Sequence, residues 1–180
     1  MSFLEPGQRI AIRGLSGSGK TTLATTLSEL LQIPHTELDE LFWRPNWQES
    51  TDEEFLSKVA VVAQNPNWII CGNYSRCRHL IDPSADTIIW LDYPFWLTYR
   101  RQISRTFRRC LQKNILWGHS TETFRQAFFA KNALVFWNFR VHRRHRQQML
   151  NLFQNPDPSK IYLHFPHPQE TEAWLHQLKR

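Results

Sequence analysis

Short apolar runs alternate with longer amphipathic stretches along the chain. Near-continuous apolar or β-branched runs predict strands. They cover five segments: Arg9 to Arg13, His35 to Leu38, Trp68 to Cys71, Asp86 to Asp92 and Lys160 to Phe165. Apolar positions at helical spacing predict helices over Lys20 to Leu31, Thr51 to about Gln64, most of the chain after Pro94 with a break near Trp117-Gly118, Ala133 to Phe153, and Glu170 to Leu178. Strands separated by helices predict an α/β fold with a parallel sheet covered on both faces.

Local signals refine this pattern. Thr51 with Glu54 three positions later forms a capping box, which predicts the start of a helix. The Trp- and Pro-rich stretch from Trp43 to Trp47 predicts neither a strand nor a regular helix. The chain has 180 residues without a repeat or low-complexity segment, so we interpret residues 1–180 as one domain.

The clearest motif is a glycine-rich loop between the first strand and the first helix. The segment Gly14-Leu15-Ser16-Gly17-Ser18-Gly19-Lys20-Thr21 satisfies GxxxxGK[ST] in the strand-loop-helix context that the phosphate-binding mechanism needs. Backbone N–H groups and the helix N-terminus surround phosphate oxygens, the lysine reaches the β- and γ-phosphates, and the threonine hydroxyl can ligate Mg²⁺. The predicted residues for ATP are Gly14, Ser16, Gly17, Ser18, Gly19, Lys20, Thr21 and Thr22, with Thr21 as metal ligand.

Two classes of P-loop protein fit the chain poorly. No NKxD-like tetrad for reading guanine is present, which disfavours a GTPase switch. The chain is also too short for an AAA-type module with its helical lid domain. The opening residues lack a secretion signal and no apolar run is long enough for a bilayer, so we expect a cytoplasmic protein without a membrane partner. Three cysteines without metal-site spacing are expected to be reduced thiols.

Positive charge is concentrated in one segment. The whole chain has 22 Lys and Arg against 16 Asp and Glu, a net charge of +6. Between Thr98 and Arg146 there are 12 basic residues and one acid, so this segment has a net charge of +11 and the rest of the chain −5. Such a segment predicts an anionic partner, which is either a phosphate chain or nucleic acid.

Four blocks together resemble the nucleoside-monophosphate-kinase group of P-loop proteins, which includes adenylate kinase and shikimate kinase. The blocks are GLSGSGKTT, ELDELFWRPNW, WIICGNYSR and ADTIIWLDYP. Within that group the chain looks most like bacterial DNA topology modulation proteins. The resemblance implies a five-stranded sheet in the order 2-3-1-4-5 and a kinase that transfers phosphoryl from Mg-ATP to a small-molecule acceptor, as a monomer or homodimer. It also implies a basic helical lid over approximately residues 106–132.

The resemblance assigns acceptor-side residues as well. WIICGNYSR stands where adenylate-kinase-like enzymes have a strand followed by Asp-Gly-Phe-Pro-Arg. The resemblance implies that Gly72, at the strand end, and Arg76, four residues later, bind the acceptor, with Arg76 holding its anionic group. Arg78 is the nearby alternative, or a solvated surface charge. Cys71 departs from the pattern, because many relatives have a metal-binding acid there and a neutral thiol is a poor ligand for Mg²⁺.

Asp39 is the predicted acid of the site. Its place after the second strand is similar to that of the shikimate-kinase-like aspartate that binds the acceptor hydroxyl. The alternatives are that Asp39 only caps a helix beginning at Glu40, or that Asp92 has this role; we favour Asp39 because Asp92 belongs to a strand on the other side of the P-loop strand. Trp43, in the acceptor segment, either stacks on a planar substrate or fills a gap between helices.

Two arginines are predicted to act on the triphosphate. Arg101 and Arg105 match the spacing of lid arginines in adenylate-kinase-like enzymes, and an i, i+4 pair on one helix face can hold two phosphate oxygens. Later arginines, Arg140, Arg143, Arg144 and Arg146, are further candidates. The alternative interpretation is a nucleic-acid surface, and a third is a nucleotide-binding regulator with weak ATPase activity. Nucleic acid is a possible partner that the charge does not require.

Overall fold

The computed structural model describes residues 4–112, 115–116, 120–121 and 134–179. Its main element is a five-stranded sheet of parallel neighbours, formed by β1 (Arg9–Gly14), β2 (His35–Glu37), β5 (Trp68–Cys71), β6 (Thr87–Leu91) and β9 (Ile161–Phe165). Their spatial order is β2-β5-β1-β6-β9. Counted along the chain these are the second, third, first, fourth and fifth strands of the sheet, so the predicted α/β parallel sheet is confirmed.

Helices cover the sheet. They are α1 (Lys20–Leu31), α2 (Leu38–Phe42), α3 (Asp52–Ala63), α4 (Arg78–Ile81), α5 (Phe95–Gln112), α6 (Leu134–Gln154) and α7 (Pro168–Leu178). Thr51 caps α3 as the capping box predicts, because its hydroxyl accepts a 3.2 Å hydrogen bond from the Glu54 N–H. Within the described residues, no helix is both long and apolar enough to cross a membrane.

The segment Trp43 to Trp47 has more regular structure than predicted. Trp43–Arg44 forms β3, Pro45–Trp47 a 3-10 helix and Gln48–Glu49 β4, and the two strands pair as an antiparallel hairpin. Two further short strands, β7 (Ile115–Leu116) and β8 (Ser120–Thr121), form a second hairpin after α5, where helix is predicted. The predicted break at Trp117-Gly118 falls outside the described residues.

The core has two parts, one on each face of the sheet. Alternate residues of β1 divide between them: Ile10 and Ile12 pack with α1 and α7, whereas Ala11 packs with α2, α3 and α6. The β6 run Thr87–Leu91 is buried at every position, as expected for a strand covered on both faces. This arrangement brings the carboxyl ends of β1, β2 and β5 to one edge of the sheet, which is where ligands bind in open α/β folds.

Candidate functional site

The glycine-rich loop connects β1 to α1 and packs tightly against α5. Gly17 has φ +83° and Gly19 φ +92°, which are backbone conformations that residues with a side chain rarely adopt. A Cβ atom at Gly17 would lie 2.2 Å from the Thr98 carbonyl oxygen of α5, so only glycine fits there. The loop is therefore held in shape both by its own glycines and by the backbone of α5.

Asn73 fixes the beginning of the loop. Its Oδ1 accepts a 3.2 Å hydrogen bond from the Gly14 N–H, and its Nδ2 donates to the Gly14 carbonyl oxygen. Asn73 directly follows Gly72 at the end of β5, so the neighbouring strand supplies this support. Sequence reasoning missed Asn73. Its position between Gly72 and Arg76, both predicted site residues, could have indicated a role.

Lys20 lies at the start of α1 with its ammonium group inside the loop. Nζ donates hydrogen bonds to the Gly14 and Leu15 carbonyl oxygens at 2.8 and 3.0 Å. Burial lowers the pKa of Lys20, while the negative charges of Asp39 and Glu37 act in the opposite direction. The lysine is thus positioned beside the loop, with two carboxylates close enough to affect its charge.

Glu37 lies next to Cys71, the position where the resemblance implies an acid. In the sheet Glu37 pairs with Cys71, and burial, followed by the Glu37 charge, raises the pKa of Cys71 to about 12. The thiol is therefore neutral, and its neighbour carries the carboxylate. Sequence reasoning missed Glu37, although it stands two residues before Asp39 at the end of the same predicted strand.

The oxygen atoms at this edge fit a hard cation. The Thr21 side chain is close enough to Cys71 to act on the pKa of the thiol, and the strand neighbour of Cys71 is Glu37, so a hydroxyl and a carboxylate are available near the loop. Mg²⁺ in phosphate-transfer sites commonly keeps several waters and needs only one or two protein oxygens. The described residues contain no cluster of three or more His, Cys, Asp or Glu for a metal held by protein alone.

Asp39 is bound by a tyrosine, and its carboxylate is not a helix cap. Helix α2 begins at Leu38, its N-cap is Glu37, and no side-chain cap hydrogen bond is formed. Instead, the Tyr74 hydroxyl donates a 2.6 Å hydrogen bond to Asp39 Oδ1. Burial, with the nearby charge of Asp39, raises the pKa of Tyr74, so its hydroxyl remains a donor.

Aromatic rings form the wall next to Asp39. The Trp43 ring is 5.0 Å from that of Phe42 and 5.3 Å from that of Trp47, both edge-on. Phe42 in turn packs against Tyr74 at 4.9 Å. The predicted acceptor segment therefore brings its two tryptophans together, and Trp43 is half-buried between its neighbours.

Arg76 and Gly72 have structural partners at this wall. Arg76 forms an ion pair with Asp52, and its guanidinium lies over the Phe42 ring at 5.2 Å. The Gly72 carbonyl oxygen accepts a 2.7 Å hydrogen bond from buried Arg13. A Cβ atom at Gly72 would lie 2.8 Å from Leu38, so this glycine permits the close approach of β5 and α2.

The two predicted lid arginines lie on α5 in different surroundings. Arg105 Nη2 donates a 3.2 Å hydrogen bond to the Ser16 hydroxyl of the loop, and its charge contributes to lowering the pKa of Lys20. Arg101 lies over the Tyr93 ring at 6.0 Å. Both belong to a groove of about 600 Å³ whose lining includes Arg100, Arg101, Ser104, Arg105, Arg108 and Arg109.

The remaining candidates lie after β6, at the start of α1 and within the loop itself. Arg146 donates two 3.2 Å hydrogen bonds to Asp92, which also meets the His164 ring at 3.3 Å. Thr22 is exposed on α1, whereas Ser18 is buried and its N–H donates to the Leu15 carbonyl oxygen at 3.1 Å. The structure thus brings together the loop, Glu37, Asp39 and Arg105, whereas Asp92 follows β6 and is bound by Arg146.

Comparisons with known proteins agree with this architecture. A protein-family model described as ABC transporter matches residues 2–160. A solved shikimate kinase from Bacteroides thetaiotaomicron has a TM-score of 0.54 at 16% identity, with 96% of each chain covered. Another from Acinetobacter baumannii, in complex with shikimate, has a TM-score of 0.56 at 14% identity, covering 95% of this chain and 90% of that one. At these identities the likeness shows the fold alone. No curated protein sequence matches the chain.

Proposed function

We propose that this chain, which belongs to the ABC transporter family of P-loop nucleotide-binding proteins, is a kinase that transfers the γ-phosphoryl group of Mg-ATP to a hydroxyl of a small-molecule acceptor. A P-loop alone is equally compatible with hydrolysis. The observation that favours transfer is the Tyr74–Asp39 hydrogen bond of 2.6 Å, which holds a carboxylate within electrostatic reach of Lys20. A fixed carboxylate opposite the phosphate loop is what an acceptor hydroxyl requires.

The proposed step balances with the groups present. The acceptor hydroxyl oxygen attacks the γ-phosphorus, the bond from that phosphorus to the β,γ-bridging oxygen breaks, and ADP leaves with the electron pair. Asp39 orients the hydroxyl and accepts its proton late in the transfer. Lys20 and Arg105 donate hydrogen bonds to the phosphoryl oxygens, where negative charge is concentrated.

Thr21 and Glu37 would hold Mg²⁺ on the nucleotide, through the hydroxyl directly and the carboxylate directly or through water. Bound Mg²⁺ neutralises charge on the β- and γ-phosphates. Lys20 meanwhile exchanges its bonds to the Gly14 and Leu15 carbonyl oxygens for bonds to phosphate. The loop N–H groups supply the remaining contacts, and the glycines allow them to point inward.

Arg101 and Arg76 have narrower proposed roles. Arg101, one helical turn before Arg105, would add a second cation to the triphosphate side. Arg76 would contact the acceptor only from the edge of its pocket, because a full grip requires its ion pair with Asp52 to open.

An acceptor screen tests the proposal. The protein is incubated with Mg-ATP and a panel of nucleosides, nucleotides and hydroxylated metabolites, and ADP formation is measured with and without each compound. We expect one compound class to accelerate ADP formation at least tenfold and Lys20→Ala to abolish the acceleration. ADP formation that no acceptor changes, or full activity of Lys20→Ala, would contradict a kinase.

A second candidate function is association with nucleic acid, which the resemblance to DNA topology modulation proteins also suggests. The observation that favours it is the groove of five arginines on α5, which extends beyond the contact of Arg105 with the loop. Binding of a labelled single-stranded oligonucleotide should then weaken steeply with salt and with Arg100→Ala or Arg108→Ala. Equal binding by these variants and wild type would exclude the groove as the site.

A further inference from the structure

The acceptor side of the site carries a strong negative charge. Between Glu37 and Glu54 the chain has seven carboxylates and one basic residue, Arg44. Arg44 is paired with Glu54. Three of the acids, Glu40, Glu49 and Glu53, are exposed and have no ion pair among the residues that the structure describes.

Two acidic residues, Glu49 and Asp39, lie on the elements that adjoin Trp43. Glu49 is the cross-strand neighbour of Trp43 in the β3–β4 hairpin, so the two side chains share a face of the hairpin. Asp39 lies one helical turn before Trp43, and its carbonyl oxygen accepts the hydrogen bond of the Trp43 N–H. Trp43 therefore has Glu49 as its neighbour across the hairpin and Asp39 one helical turn earlier in the chain, and its ring meets that of Trp47 edge-on.

The two arginines at this wall, Arg44 and Arg76, are both in ion pairs with acids. The guanidinium of Arg76 pairs with Asp52 and covers Phe42, so a phosphate or carboxylate on the acceptor would have to displace Asp52. It would also meet repulsion from Asp39 and Glu49. An ammonium group would meet attraction from both carboxylates and from the electron-rich faces of the tryptophans.

We infer that the acceptor carries a positively charged group, an amine or quaternary ammonium, in addition to its phosphorylated hydroxyl. This inference rests on the proposed function and names its substrate class. The cationic group lies against Trp43 and Trp47 next to Glu49, and the hydroxyl points to Asp39. The cation takes no part in bond making: the hydroxyl oxygen forms the new bond to phosphorus, ADP leaves, and the proton passes to Asp39.

Matched compounds that differ in charge test the inference. One trio is choline, its neutral isostere 3,3-dimethylbutan-1-ol, and glycolate; another is glucosamine, glucose and glucuronate. Binding to the full chain in the presence of Mg-ADP is followed by tryptophan fluorescence and calorimetry. We expect the cationic member of at least one trio to bind ten or more times tighter than its neutral partner, and the anionic member to bind weakest. Equal binding within both trios, or tighter binding of the anions, would overturn the inference.

Two variants locate the cationic group. Glu49→Gln removes the charge beside Trp43 and should weaken binding of the preferred cation about three- to tenfold. Glu53→Gln removes the same charge from α3 and should change binding less than twofold. Equal losses of binding affinity in both variants would mean that the cation is attracted by the summed negative charge of the segment. That result would contradict a binding site at Trp43.

A tryptophan pair gives an independent check. Trp43→Leu should abolish discrimination between choline and its neutral isostere, whereas Trp96→Leu, at an exposed position on α5, should retain it. If Trp43→Leu fails to fold, the comparison of Glu49→Gln with Glu53→Gln still decides. Discrimination that survives in folded Trp43→Leu would overturn the inference.

The inference and the proposed function fail differently. If anionic alcohols accelerate Lys20-dependent ADP formation and cationic ones do not, the kinase proposal stands and the cationic acceptor is wrong. If cationic compounds bind at Trp43 but no compound of any charge accelerates ADP formation, the cation site stands and the kinase proposal is wrong.

Discussion

The Tyr74 hydroxyl donates a 2.6 Å hydrogen bond to Asp39 Oδ1, and this contact joins two separate parts of the site. The Tyr74 ring packs between Phe42 and Phe55, with ring centroids 4.9 and 5.0 Å away. Because burial raises the pKa of Tyr74, the hydroxyl stays protonated and keeps donating. The orientation of Asp39 therefore depends on the segment that follows β5.

Tyr74→Phe removes this hydrogen bond and keeps the ring. We expect kcat for acceptor phosphorylation to fall about tenfold, since a lost hydrogen bond to a charged group is worth about 1.5 kcal/mol or more. The KM for ATP should not change, because Tyr74 does not contact the loop. Steady-state kinetics with the acceptor from the screen measures both. Tyr162→Phe, which loses only a 3.2 Å contact with the Asp157 N–H, is the control. Unchanged kcat in Tyr74→Phe would mean that Asp39 needs no support.

Arg105 and Arg108 test which part of the α5 groove acts on the phosphoryl group. Arg105 donates to Ser16 in the loop, whereas Arg108 lines the same groove without a contact to the loop. Arg105→Ala should lower kcat about 100-fold or more, because arginines that stabilise the transferred phosphoryl group have large effects. Arg108→Ala removes the same charge and should change kcat less than threefold. Similar losses of kcat in both variants would show that the summed positive charge of α5 stabilises the phosphoryl group, and not the single contact made by Arg105.

The sequence alone was sufficient for the framework of the site. Its features are local in sequence: the motif Gly14 to Thr21, the flanking strand and helix, and the capping box at Thr51. Local preferences of this kind agree with the final fold in natural proteins. Tyr74, Asn73 and Glu37 depend on which strands become neighbours. Pairing of β2 with β5 places Glu37 beside Cys71, a neighbour that the linear sequence does not reveal. The short hairpin around Trp47 was missed because no residue pattern separates two-residue strands from loops.

Alanine substitutions at Gly17 and Gly19 distinguish the cost of a steric clash with α5 from the cost of backbone strain. Both glycines have positive φ. A Cβ atom at Gly17 would collide with α5, 2.2 Å from the Thr98 carbonyl oxygen, whereas one at Gly19 would have no atom of the described residues beyond its chain neighbours within 4 Å. Gly19→Ala should therefore cost about 1–2 kcal/mol of unfolding free energy through backbone strain alone. Gly17→Ala should cost at least 2 kcal/mol more, because α5 must move. Urea unfolding without nucleotide measures both, and equal losses would contradict the contact between the loop and α5.

Buried His145 should make the unfolding free energy of the protein depend on pH. It is 7% exposed, on α6, and burial, followed by the positive charges of Arg78, Lys20 and Arg13, lowers its pKa from 6.5 to about 3, although Asp92 acts in the opposite direction. Between these two pH values the unfolded chain binds a proton that the native chain does not. Stability is therefore retained above pH 6.5 and lost as the pH falls below it.

One such group changes the unfolding free energy by about 1.4 kcal/mol per pH unit, so lowering the pH from 6.5 to 5 should cost about 1–2 kcal/mol. His145→Gln cannot take up this proton and should flatten the dependence by that amount, measured by urea unfolding at a series of pH values. His142→Gln is the control: the pKa of His142 is lowered by burial and by Arg146, but this residue is half-buried, so its effect should be smaller. If the pH dependence of His145→Gln equals that of wild type, His145 is not the group that resists protonation, and the packing of α6 against Arg78 and Arg13 would have to be looser than the structure has it.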